Sequence, residues 1–72
     1  PAGIMRTRYE REIERLGGEV ERLQRKLAND AYVSKASPEA VSKDRAKLAG
    51  YEAELARARS GLAALGESSE DR

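Results

Sequence analysis

The sequence predicts an all-α fold, an antiparallel two-helix coiled-coil hairpin. Three observations carry this. Ala, Leu, Glu, Lys and Arg dominate a chain that is 38% charged and 39% hydrophobic, the composition of long helices and coiled coils. Two stretches carry apolar residues at alternating steps of four and three. Between them lies a short segment in which that pattern lapses.

The first seam runs Tyr9, Ile13, Leu16, Val20, Leu23, Leu27. Ile13, Val20 and Leu27 take heptad position a, and Tyr9, Leu16 and Leu23 take d. This predicts a helix over about 5–28. Gly17 and Gly18 fall in its middle, and each costs about 1 kcal/mol relative to Ala in a helix. The seam stays in phase across them, so a soft spot is expected rather than a break.

The pattern lapses at 29–37, which is read as the connection. Asn29-Asp30 has turn chemistry, and Ser37-Pro38-Glu39 is a helix start. Ser37 can cap orphan amides, and Pro38 at the first helical position lacks the amide that would go unpaired. Glu39 sits near the positive end of the helix dipole.

The second seam places Val41, Leu48, Leu55 and Leu62 at a, and Asp44, Tyr51, Ala58 and Leu65 at d. It predicts a helix over about 38–65, stopped by Gly66. The hairpin thus occupies 1–66, and the polar tail 67–72 is expected to be disordered. Each helix has one apolar stripe that it cannot bury alone, and a short connection makes neighbours antiparallel. Matching the seams sets Leu23 beside Leu48, Val20 beside Tyr51, Leu16 beside Leu55 and Tyr9 beside Leu62.

Composition excludes several functions. There is no His and no Cys among the 72 residues, so the commonest general base and the thiol nucleophile are missing. No metal site and no cofactor are expected in this segment, and its carboxylates read as surface charge. Gly17-Gly18 lies inside a helix and lacks a phosphate-loop pattern. No apolar run approaches the roughly 18 residues of a membrane span. No secretory signal is visible at the start, and a cytoplasmic location is expected. The chain starts at Pro1 rather than Met, so a fragment is expected, with the native status of residues 1–5 open.

The net charge is +1, which does not by itself announce a nucleic-acid binder. Its distribution is uneven. Residues 22–47 hold seven bases, Arg22, Arg25, Lys26, Lys35, Lys43, Arg45 and Lys47, against three acids, Asp30, Glu39 and Asp44. Phosphate contact by such a patch would be salt-sensitive and largely blind to sequence. Tyr32 admits two readings. It can stack on an unpaired base, or it can pack down with Val33 to close the tip.

The stretch 23–65 resembles the C-terminal coiled-coil arm of valyl-tRNA synthetase. The resemblance rests on Lys26-Leu27-Ala28-Asn29-Asp30-Ala31-Tyr32-Val33-Ser34-Lys35-Ala36, then Pro38-Glu39-Ala40-Val41, then Lys43-Asp44-Arg45-Ala46-Lys47-Leu48. Four positions depart from the family pattern. Tyr32 stands at the usual Phe and Asp44 at the usual Glu. Ser37 stands at the usual proline, with Pro38 one place late, and Ala40 at a frequent Val.

The resemblance implies an arm that projects from a synthetase body and contacts the corner of the L-shaped tRNA, supporting aminoacylation. The implied partners are tRNA and the rest of the parent synthetase, an ATP-dependent valine–tRNA ligase. The fragment itself would be no enzyme, bind no membrane and be monomeric. The implied tRNA-binding residues are Arg22, Arg25, Lys26, Tyr32, Val33, Lys35, Lys43, Arg45 and Lys47. Two other readings stand beside it: the C-terminal hairpin of a ribosome-associated ATPase, which shares the architecture, and a structural or oligomerisation coiled coil, whose helices would pair between chains.

Overall fold

Three helices make up the described residues. The computed structural model describes the backbone of residues 2–70 and the side chains of residues 3–66. Helix α1 spans Ala2–Ala28, α2 spans Asp30–Lys35 and α3 spans Pro38–Glu70. The two long helices pack against each other and α2 packs against the end of α1, as in a helical hairpin. The molecule measures 55 × 15 × 14 Å.

Seam residues account for the whole buried set. Leu16, Val20, Leu23, Val41, Asp44, Leu55 and Ala58 are the buried side chains among the described residues, and every one occupies an a or d position. Leu16, Val20 and Leu55 form one cluster, with Ile13, Leu48 and Tyr51 packed around it. Leu16 and Leu23 are 1% exposed. Fully burying a Leu side chain contributes roughly 1.5–3 kcal/mol, and so thin a molecule has few such residues.

The structure refines the expected boundaries. α1 begins at Ala2 rather than near residue 5 and runs unbroken through Gly17 and Gly18. No glycine here has positive φ, so both fit a helical backbone. The same fact explains why Gly66 does not stop α3. A glycine ends a helix by turning left-handed, and Gly66 does not, so α3 continues to Glu70. The expected disordered tail is therefore helical over 67–70, and its last positions, 71 and 72, lie outside the described residues, as does Pro1.

The connection 29–37 is not irregular throughout. Asn29 caps a short helix, its side chain accepting from the amides of Ala31 at 3.0 Å and Tyr32 at 3.3 Å. Asp30 at the first turn and Lys35 at the last complement the α2 dipole. The residues read as turn formers are thus the start of α2. Ser37 caps α3 as its sequence suggests, accepting from the Ala40 amide at 3.1 Å.

Candidate nucleic-acid interface

The tip of the hairpin consists of the last turns of α1, all of α2 and the first turns of α3. Its backbone is fixed locally by the two caps and by the Ala36 amide, which donates to the Tyr32 carbonyl at 2.8 Å. The structure brings residues from all three helices together at this end.

Asp44 is the centre of that meeting. It is 8% exposed. A buried carboxylate needs partners to offset its lost hydration, and it has two. The Tyr32 hydroxyl donates to Oδ2 at 2.5 Å, and Lys26 Nζ lies 3.2 Å from the same oxygen. Lys26 Nζ also stands 4.9 Å from the centroid of the Tyr32 ring, within cation–π range. The hydrogen bond from Tyr32, then Lys26, holds the Asp44 carboxyl below its ordinary range, against a burial effect that pushes upward. The same hydrogen bond raises the Tyr32 hydroxyl, and the contact with Asp44 raises the Lys26 ammonium.

The sequence-predicted site residues divide accordingly. Lys26 and Tyr32 are half-buried and engaged with Asp44. Arg22, Arg25, Lys35, Lys43, Arg45 and Lys47 are exposed. Arg22 pairs with Glu19 at 2.7 Å and Arg25 with Glu21 at 3.3 Å. These are exposed pairs within about one helical turn, screened by solvent, and contribute little. Among the described residues, Lys35, Lys43, Arg45 and Lys47 make no ion pair within 4.0 Å. Val33 is half-buried and lines an open groove with Ser34, Ala36, Pro38, Val41, Ser42 and Arg45. With Asp44 turned inward and paired to Lys26, the exposed tip keeps the same excess of charge, six bases against Asp30 and Glu39.

Sequence reasoning missed the role of Asp44 although it placed Asp44 on the seam. The signal was there: a charged residue at a d position must be satisfied by something. Its partners were not readable, because Lys26 and Tyr32 reach it from two other helices. Among the described residues, no group of three or more acidic side chains is placed to hold a metal ion. No helix among them is long and apolar enough to cross a membrane.

The sequence pattern of the family described as valyl tRNA synthetase tRNA binding arm matches residues 4–66. The chain is 37% identical over 60 residues to a valine–tRNA ligase of Gluconobacter oxydans, covering 83% of the chain and 7% of that protein. It is 34% identical over 61 residues to a valine–tRNA ligase of Agrobacterium fabrum, covering 85% of the chain and 6% of that protein. The chain thus spans less than a tenth of the length of these relatives. No solved structure matches it.

Proposed function

Because this chain belongs to the valyl-tRNA synthetase tRNA binding arm family, we propose that it rests its exposed tip bases on the phosphate backbone of tRNA, at the corner of the L. In this reading the chain is an antiparallel coiled coil. The contact order supports it: Lys26 near the end of α1 meets Asp44 near the start of α3, and Tyr9 near the start of α1 lies against Gly61. Partner numbers fall along α3 as they rise along α1. The antiparallel rod carries a basic tip away from its other end, as an arm requires.

One observation carries the functional reading. Among the described residues, Lys35, Lys43, Arg45 and Lys47 stand exposed without ion pairs, while Asp44 is turned in beneath Lys26. Cations in this state gain from displacing the counterions of a phosphate chain. The contact positions the RNA and carries no sequence information of its own. Valine and ATP chemistry belong to the remainder of a parent synthetase. The arm without His or Cys supplies binding, acts as a monomeric element, and works in the cytoplasm.

The test is tRNA binding by the full synthetase carrying this arm, measured across a salt series. Lys35→Ala with Lys43→Ala and Lys47→Ala should weaken binding and flatten its salt dependence. Each lost phosphate contact should lower the slope by about 0.7–0.9. Binding equal to wild type at every salt concentration overturns the reading.

A further inference from the structure

Asp44 is the buried acid in a tip whose proposed work is to attract an anion. As a charge it opposes that work, since a carboxylate among phosphate-binding bases weakens their field. Its contacts point to another role.

All three helices meet on its carboxylate. Lys26 comes from α1, Tyr32 from α2, and Asp44 itself from α3. The Lys26 ammonium over the Tyr32 ring closes the set into a triangle. Apart from this, α2 has its caps and its packing against the end of α1. It is six residues long and none of its residues is buried. A helix of that length is far too short to be stable alone in water, so its order comes from its caps and from what it touches. The Tyr32 hydroxyl is the side-chain hydrogen bond that ties α2 to α3 among the described residues.

We propose that Asp44 is a positioning residue for RNA binding. It acts through Tyr32 and Lys26 to fix α2, and with it Lys35 and Val33, relative to Lys43, Arg45 and Lys47 on α3. The proposal rests on the tRNA-contact reading above. Its physical content is pre-organisation: a tip already ordered pays less entropy on binding than one that must be ordered at that moment.

This role and simple electrostatics predict opposite signs for one substitution. Asp44→Asn keeps the shape and removes the negative charge. If Asp44 were only a charge, tRNA would bind more tightly. If Asp44 positions the tip, tRNA binds more weakly, by roughly 3–10-fold, the scale of one or two side chains released from order. The salt slope should stay at the wild-type value, because the exposed bases remain.

The experiment uses the full synthetase and tRNA, with affinity measured across salt for wild type, Asp44→Asn, Tyr32→Phe and the triple lysine variant. Amide exchange is followed over residues 31–36 and over 16–23. Tyr32→Phe keeps every charge and the ring, so it should weaken binding in the same direction by less. Both single variants should speed exchange at 31–36 and leave 16–23 protected. Binding by Asp44→Asn as tight as wild type or tighter, beside a weakened lysine triple, overturns the positioning role alone. A lysine triple that binds like wild type overturns the tRNA-contact reading, and the positioning role with it. If Asp44→Asn unfolds the arm, Tyr32→Phe decides: unchanged exchange at 31–36, or unchanged affinity, overturns the proposal.

Discussion

The Tyr32 hydroxyl donates to the Asp44 carboxylate at 2.5 Å, joining α2 to α3 across twelve residues of chain. Lys26 completes the contact from α1. The arrangement makes the tip sensitive to pH at both ends of the scale. Asp44 is held below its ordinary pKa, chiefly by the Tyr32 hydrogen bond and then by Lys26, with Lys47 adding a weaker attraction. A group depressed in the folded state contributes stability above its unfolded pKa, about 3.9 for Asp, and loses it as pH falls through the folded value. Tyr32 and Lys26 are raised. Their contributions are complete below their unfolded values, about 10 and 10.4, and vanish as pH rises through the folded ones. The stability difference between wild type and Asp44→Asn should therefore be flat from roughly pH 5 to 9 and shrink on either side. Thermal melts of both proteins across pH would show it. A difference that does not change between pH 2 and 7 would contradict the assignment.

The two glycines inside α1 should be replaceable with gain. A Cβ at Gly17 or Gly18 meets nothing within 4 Å, and neither glycine has positive φ. Gly17→Ala and Gly18→Ala should each stabilise by about 0.4–1 kcal/mol, mainly by restricting the unfolded chain. For a domain of this size that is a rise of several degrees in Tm, at roughly 4–8 °C per kcal/mol. A lowered Tm in both variants would mean that the backbone there is not helical in solution.

Gly61 should behave differently. A Cβ there would fall 2.5–2.8 Å from the end of the Tyr9 ring, too close without movement. Gly61→Ala gains helix propensity of about 1 kcal/mol but must displace that ring. The substitution should therefore gain less in wild type than when Tyr9→Ala is already present. A double-mutant cycle measures this directly, and zero coupling would place Tyr9 elsewhere.

The fold was legible because the seam is regular, and the tip was not because its order is local and polar. Every buried residue among those described sits where the heptads put it. α2 escaped because Asn29-Asp30 fits a turn and a helix cap equally well, and the choice depends on whether the next six residues find partners. Tyr32 and Asp44 show the same limit. Against the family pattern that the sequence resembles, they stand as two separate departures, Tyr for Phe and Asp for Glu. In the structure they are one contact: the Tyr32 hydroxyl and the Asp44 carboxylate that receives its hydrogen bond.

Packing of the central cluster should show strong coupling. Leu16 is 1% exposed and shares its cluster with Leu55, which is 7% exposed. Leu16→Ala and Leu55→Ala should each cost roughly 2–5 kcal/mol, toward the low end because the rod is thin and can relax. Since the two lie in one cluster, the double variant should cost less than the sum. Chemical denaturation of the four proteins gives the answer, and strict additivity would separate the two residues.

The last prediction separates binding from chemistry in the full synthetase. Substituting Lys35, Lys43 and Lys47 by Ala removes three exposed cations that make no ion pair among the described residues, so folding of the arm should be nearly unaffected. If these residues hold only the tRNA backbone, activation of the amino acid in the absence of tRNA should proceed at the wild-type rate. Charging should suffer mainly through a raised KM for tRNA, because a contact equally strong in ground and transition states changes KM and leaves kcat alone. The defect should grow with added salt, as the remaining phosphate contacts weaken. Arg8, Arg57 and Arg59 are exposed bases farther from the tip, and replacing them by Ala removes the same charge. They serve as the control for net charge. An equal rise in KM from the control set would show that total charge, and not the tip, governs binding, and a fall in kcat alone would place the lysines in a conformational step rather than in the contact.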